Sequence, residues 1–437
     1  MFKKYDAYKD SGVEWLGNIP SHWDIFSLKR SIDGCFNGLW GSDPKENNDD
    51  IVVLRVADFD RNKLVIDNSK LTLRNIKKSE IGNRLLKKGD LLIEKSGGGD
   101  KTLVGCVVLY NENYKALTSN FVAKMTPKSN VNSYFLNYFF AALYANNINY
   151  QSIKQTTGIQ NLDTNSYLNE KLALPSLHEQ EAIVSFLNKK TSEIDQAIAI
   201  KEQQITLLNE RKQIVIQKAV TQGLNPNMAM KHSGVEWIGQ IPEHWEVVRA
   251  KFLFDEVDER SSEGQEELLS VSHMTGVTPR SEKNVSMFMA EDYSGSKLCK
   301  KNDLVMNIMW AWMGALGVSA YEGIVSPSYG VYRQKKPNIF NAQYLEYLLK
   351  TTKYIEHYNR VSTGLHSSRL RFYGHMFFNM KIGFPSFEEQ NEIIEAINEQ
   401  SIKIDLALSN LTAQIEKLKE YKTTLINDAV TGKIKVA

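Results

Sequence analysis

Pro175-Ser176-Leu177-His178-Glu179-Gln180 opens an unbroken amphipathic run that closes at Ala219-Val220-Thr221-Gln222-Gly223. Ser176 and Glu179 stand at Ser-x-x-Glu spacing, so each side chain is expected to accept the other's backbone N–H in a capping box. No proline or glycine follows before Gly223, where a C-terminal stop is expected. Between those ends Val184, Leu187, Ile194, Ile198, Ile205, Leu208, Val215 and Ala219 keep a heptad seam, interrupted by Thr191, Lys201 and Lys212. Such spacing turns one narrow apolar stripe toward a partner helix.

The partner lies in the same chain. Pro385-Ser386-Phe387-Glu388-Glu389-Gln390 opens a second run that ends Ala429-Val430-Thr431-Gly432, with the seam Ile394, Ile397, Ser401, Ile404, Leu408, Leu411, Ile415, Leu418, Lys422, Leu425 and Ala429. Aligned without a gap, Thr191 falls on Ser401, Lys212 on Lys422 and Ala219 on Ala429; only Lys201 against Leu411 changes character. Two unrelated surface helices would not share caps, interruptions and ends, so the chain contains an internal repeat.

A second repeat precedes each half. Lys9-Asp10-Ser11-Gly12-Val13-Glu14-Trp15-Leu16-Gly17-Asn18-Ile19-Pro20-Ser21-His22-Trp23 returns as Lys231-His232-Ser233-Gly234-Val235-Glu236-Trp237-Ile238-Gly239-Gln240-Ile241-Pro242-Glu243-His244-Trp245. Glycines, a proline and two large rings describe a turn-rich segment anchored on something fixed. Trp15, His22 and Trp23 admit a binding-site reading. A docking strap that mounts each half on the helices is preferred.

Between strap and helix the composition is β-branched and aromatic. Ile51–Val56, Asp90–Ile93 and Leu103–Leu109 read as strands, and Tyr134–Leu143 as a helix. The second half repeats the order with little identity. Leu268–Ser272 stands near the first strand's place, Lys300–Leu304 matches Lys87–Leu91, and Tyr344–Leu349 matches the helix. Ser362-Thr363-Gly364-Leu365-His366 matches Thr156-Thr157-Gly158-Ile159-Gln160. The fold class is α+β: two mixed domains at opposite ends of a pair of long antiparallel helices, related by a pseudo-twofold internal repeat. The expected boundaries are a strap over 1–23, a domain over 24–174, and the central helix over 175–223. A linker and second strap follow over 224–245, a second domain over 246–384, and the C-terminal helix over 385–437.

The antiparallel return follows from reach. Each helix of about 40 residues spans about 60 Å, whereas the ten residues from Gly223 to Ser233 reach roughly 35 Å when extended. The second domain is therefore expected near the end of the first helix. By the same symmetry the first strap is expected near Ala429–Ile434.

The 437 residues suit two or three domains, and 42% apolar content supplies ordinary cores. A net charge of +2 gives no bulk argument for nucleic acid, though one basic face suffices for a reader. Cys35, Cys106 and Cys299 are scattered and odd in number, which suits a reducing cytoplasm and neither a disulfide framework nor a zinc cluster. No signal peptide or 18-residue apolar span is seen, so a soluble cytoplasmic protein is expected.

Catalytic motifs are absent. Ser96-Gly97-Gly98-Gly99-Asp100-Lys101-Thr102 fails the phosphate-loop pattern because Asp100 precedes the lysine and a strand is expected next. It reads as a flexible turn with Lys95 and Lys101 free to meet backbone phosphates. There is no dinucleotide fingerprint, His-Glu-x-x-His, paired Cys-x-x-Cys, or the Asn/Asp-Pro-Pro-Tyr run of an adenine methyltransferase. Neither a catalytic nor a metal site is expected. The candidates for DNA contact are Lys95, Lys101, Thr156, Thr157, Gln160 and Asn161 in the first half, and Ser362, Thr363, His366, Ser367, Arg369 and Arg371 in the second. Arginine pairs bidentately with guanine, and Gln or Asn with adenine. Trp310-Ala311-Trp312 alternates as a strand does, and core packing is expected of both rings.

The doubled Ser-Gly-Val-Glu-Trp-Leu/Ile-Gly-x-Ile-Pro-x-His-Trp, with Pro-Ser-x-x-Glu-Gln opening each long helix, resembles the specificity (S) subunit of type I restriction–modification systems over essentially the whole chain. Ser270-Val271-Ser272, Gly314–Ser319 and Ser326-Pro327-Ser328-Tyr329 also look familial, while the first domain departs more from the pattern. The resemblance implies two target recognition domains, each reading half of an asymmetric bipartite site in double-stranded DNA. Helices carry the partner surface for two methyltransferase (M) subunits, which an endonuclease/translocase (R) subunit joins. S-adenosylmethionine, ATP and Mg would bind those partners, so this chain is expected to be non-catalytic and cofactor-free. The alternatives are a coiled-coil scaffold and a stand-alone DNA-modifying enzyme.

Overall fold

The computed structural model describes residues 2–98, 102–156, 158–282, 292–364 and 370–436. The chain divides into two units, Met1–Lys201 with Thr412–Ala437, and Glu202–Leu411. Both are α+β, and each takes a share of both long helices.

Those helices run over Leu177–Gln222 and Phe387–Val430, 46 and 44 residues, slightly beyond the expected 40 because the capping turns are already helical. Every seam position from Val184 to Ala219 and from Ile394 to Ala429 is buried or half-buried. In the first unit Val184, Leu187 and Ile194 share a core with Leu425 and Ala429. Lys422 Nζ reaches Asp195 at 2.7 Å and Lys201 Nζ reaches Gln414 Oε1 at 2.6 Å. Rising numbers on one helix meet falling numbers on the other, so the two segments are antiparallel. In the second unit Ala219 packs with Ile394 and Ile397, and Lys212 Nζ meets Asp405 at 2.7 Å. The lysines that interrupt the stripe lay their methylenes along it and deliver the ammonium to an acceptor on the other helix.

Each unit is built on one antiparallel frame. In the first it is Ile32–Asn37, Val122–Pro127, Leu91–Glu94 and Val107–Leu109, extended to six strands by Val65–Ile66 and Phe59–Asp60. In the second it is Phe254–Glu256, Gly330–Gln334, Leu304–Met306 and Leu316–Val318, in the same spatial order. A buried aspartate closes the turn before the third strand of each frame. Asp90 accepts the Lys87 N–H at 2.7 Å and faces Lys124 Nζ at 3.4 Å. Asp303 accepts the Lys300 N–H at 2.9 Å and takes both forks of Arg333 at 2.8 Å.

The strand expected over 103–109 is shorter, Val107–Leu109. Gly105 has φ +105°, and Val104 gives its N–H to Gln160 and its C=O to Asn149 instead of to a ladder. The helix near Tyr134 spans Ser133–Ala145, and its counterpart Ala342–Leu349. Asn132 and Asn341 cap them alike, each side chain accepting from the amides two and three residues on, Tyr134 and Phe135 in one and Gln343 and Tyr344 in the other.

Each strap is a hairpin, Tyr8–Asp10 with Asn18–Pro20 and Met230–His232 with Gln240–Pro242, ending in a buried tryptophan, Trp23 or Trp245. Here the capping box is half made. Ser176 Oγ accepts the Glu179 N–H at 3.3 Å, but the Glu179 carboxylate turns to Trp23 Nε1 at 3.2 Å and His22 Nε2 at 3.1 Å. Glu389 does the same with Trp245 at 3.1 Å and His244 at 2.7 Å. A buried indole N–H loses more by going unpaired than an amide near water does. The next residue, Gln180, accepts the Asn132 N–H and donates to Pro175 O; Gln390 accepts from Asn341 and donates to Pro385 O. The Glu-Gln pair is thus the joint between strap, long helix and domain helix in each unit. The first strap also meets the end of the second long helix: Tyr8 Oη donates to Gly432 O at 3.2 Å, and the Lys435 N–H to Lys3 O at 2.8 Å.

Candidate nucleic-acid interface

The third strand of each frame ends in an irregular tip that meets a polar segment arriving from the helices. In the first unit Leu91–Glu94 leads into Ser96–Gly97, which pairs with Asn161 and Gln160. Those residues lie on the hairpin Ile153–Thr156 with Ile159–Leu162. In the second unit Leu304–Met306 leads into a turn through the short 3-10 helix Ala311–Met313. There the Phe372 N–H donates to Ile308 O at 2.9 Å, and Thr363 bridges Arg371 through both backbone bonds. Local chemistry makes the tips. Gly97 and Gly98 at φ +134° and +65° turn the chain in one, and Gly314 at φ +80° in the other.

Within the first tip the candidates have distinct surroundings. Lys95 is half-buried and its Nζ donates to Asn37 Oδ1 at 2.6 Å. Asn161 is exposed, with Oδ1 accepting from Ser96 Oγ at 2.6 Å. Gln160 is buried, and its Oε1 accepts the Val104 N–H at 3.2 Å. Its carboxamide oxygen thereby helps to hold the tip. Thr156 ends its strand opposite Ile159. Lys101 and Thr157 lie outside the described residues.

In the second tip Ser362 ends the helix Thr352–Val361, and its Oγ is buried without a partner. Thr363 is exposed; Arg371 is half-buried and donates to Leu370 O at 2.9 Å. His366, Ser367 and Arg369 lie outside the described residues. The Trp310–Trp312 reading is corrected: the segment is 3-10 rather than strand, and Trp310 is 46% exposed. The rings do share a face, stacked at 5.9 Å and 24°.

Sequence reasoning missed the groups that the fold brings to the first tip from distant strands. Phe121, 48% exposed, accepts the Lys95 and Ser96 amides on its carbonyl. Arg84 Nε donates to Asn37 O at 2.9 Å. Near the same loop Arg74 lies 4.7 Å above the exposed Trp40 ring. No local signal marks them, because their neighbours are 25 to 47 positions away in the chain. Beneath the tip, Glu94 is fully buried and held by Arg61 at 2.7 Å; burial raises its carboxyl above the usual range, against the pull of that guanidinium.

Burial pushes the Cys106 and Cys299 thiols up to about 11. Among the described residues no acidic, His or Cys cluster is placed to hold a metal ion, and no helix is long and apolar enough to cross a membrane. Aromatic plates beside cations, amides and hydroxyls on irregular loops are the chemistry of nucleic-acid contact.

Residues 32–210 match the type I restriction modification DNA specificity domain. The match falls on the half whose sequence had looked further from the pattern. The chain is 24% identical to the type I restriction enzyme MjaX specificity subunit of Methanocaldococcus jannaschii, covering 100% of this chain and 98% of that protein. It is 27% identical to the MjaVIII specificity subunit of the same organism over 74% of this chain and 75% of the other. Among solved structures, the HsdS subunit from Thermoanaerobacter tengcongensis superposes with a TM-score of 0.55 at 14% identity, covering 95% of this chain and 98% of that one. A chain from a study of complex assembly and conformational transition in the type I R-M system superposes at 0.66 and 14%, covering 94% and 98%.

Proposed function

We propose, for a chain that belongs to the type I restriction–modification specificity subunits, that its two tips each read one half of an asymmetric bipartite site in duplex DNA. The observation that carries this reading is repetition with divergence: one frame and one mount occur twice, and the tips on them differ in nearly every side chain. The recognition domains are 24–174 and 246–384. The long helices fix the unread spacer and present the surface on which two M subunits dock. The chain performs no covalent step. S-adenosylmethionine serves the M subunits, which methylate adenine; ATP and Mg serve an R subunit that joins the complex in the cytoplasm.

The test is a genome-wide map of N6-methyladenine in cells with and without this gene, the M gene kept intact. Loss of one bipartite motif on deletion is the expected result, and it reveals both half-sites and the spacer together. Survival of every methylated motif would defeat the reading. A scaffold predicts no sequence-dependent retention of DNA by the chain with its M partner, and a stand-alone enzyme predicts modification by the purified chain alone.

A further inference from the structure

We infer that Trp310 is a specificity-determining residue whose open indole face packs on base edges in the half-site read by the second unit. This rests on the DNA-reading function above and adds a residue to it. Trp237, Trp245 and Trp312 of this unit are covered at least in part by protein, whereas Trp310 is 46% exposed and Met313 beside it 38%. Together with the half-buried Trp312 they form an apolar plate on a tip, not a single stray ring.

The plate is built rigid. Trp310 O accepts the Met313 and Ala315 amides, at 2.9 and 3.1 Å. Trp312 Nε1 donates to Met309 O at 2.9 Å. Buried Asn307 accepts the Met309 N–H and donates to Tyr329 Oη at 3.0 Å. Gly314 sits in the left-handed region, and a Cβ there would come within 3.1 Å of Ile355. A ring held in place before its partner arrives loses little entropy on binding.

Its surroundings name the partner. The turn is joined to the Arg371 segment through the Phe372 N–H on Ile308 O, and Thr363 fastens Arg371 beside it. An apolar plate on a turn tied to an arginine-bearing segment suits a polyanion with apolar edges, and a thymine methyl in the major groove is the contact that such a plate reads. The first unit carries Gly97 and Gly98 at the corresponding turn, and its exposed rings, Phe121 and Trp40, come from other segments, so the effect of changing Trp310 is confined to one half-site.

The experiment uses the full chain in complex with its M partner, comparing wild type, Trp310→Ala and Trp310→Phe. Affinity for duplexes carrying the mapped motif and the methylated-motif spectrum are both read. Trp310→Ala is expected to lose about tenfold in affinity, within the range for one aromatic–base contact, and to admit extra bases at one or two positions of a single half-site. Trp310→Phe keeps the motif. An unchanged motif and affinity in Trp310→Ala, or equal loss at both half-sites, would overturn the inference while the DNA-reading function stood. A wild-type complex that imposes no bipartite motif would overturn both.

Discussion

The two units differ most where they touch the least of their own protein. Strap, Glu-Gln joint, asparagine cap and frame order agree pairwise, from Trp23 with Trp245 to Asn132 with Asn341. The tips share only position: a glycine turn fastened by Gln160 in one, a stacked tryptophan pair in the other. A joint must satisfy buried donors and fill fixed volume, so few residue combinations serve. A tip on the solvent side answers only to what it binds. Divergence therefore singles out the tips as the part of each unit that its own packing constrains least.

Five substitutions, arranged as three comparisons, probe how alike the mounts are, beginning with the largest effect. Trp23→Ala and Trp245→Ala each empty a buried ring site and take the indole N–H from the carboxylate of Glu179 or Glu389, leaving it His22 or His244. A loss of about 3–5 kcal/mol is expected from each, seen as lost hydrogen-exchange protection confined to the unit that carries the change. Equal loss in both units from either change would mean that the mounts are not independent.

Next, Gly432 and Gly223 hold the same place after the two long helices, at φ +74° and +75°. A Cβ on Gly432 would come 2.3 Å from Pro20 of the strap, whereas on Gly223 the nearest atom is Glu389 Oε1 at 3.5 Å. Gly223→Ala is expected to cost about 1–2 kcal/mol from the left-handed backbone alone. Gly432→Ala adds a clash with a proline ring and costs more, displacing the first strap. Thermal unfolding of the two variants gives the order, and a reversed order would break the argument.

The smallest effect is a difference in pH response. Trp237 stacks on His357 at 4.2 Å, where burial and then Arg360 lower the imidazole to about 4; Trp15, at the matching place, packs on Phe139, which does not titrate. Below about pH 6.5 the unfolded chain binds a proton at this histidine that the folded unit refuses. Stability of the second unit should therefore fall as pH drops from about 6.5 toward 4. His357→Phe should flatten that slope in hydrogen exchange of the second unit, leaving the first unit's profile unchanged.

Much of this molecule is legible in one dimension. The seam from Val184 to Ala219, its match from Ile394 to Ala429, the strap repeat and the Asp90 and Asp303 turns all rest on contacts whose period or spacing is written locally. Heptads and turns are short-range geometry, and a repeated pattern shows itself without a third dimension. The tertiary structure decided what long-range competition decides. Glu179 leaves the capping box for Trp23 because a buried indole 156 positions away has no better acceptor. Gln160 turns inward because the Val104 amide, 56 positions away, is buried with it. Trp310 leaves the core because Gly314 and the 3-10 turn rotate it outward. In each case the side chain's local pattern allowed two fates, and the choice between them lay with whichever distant group had the larger desolvation cost to relieve or the backbone turn that could not be made otherwise.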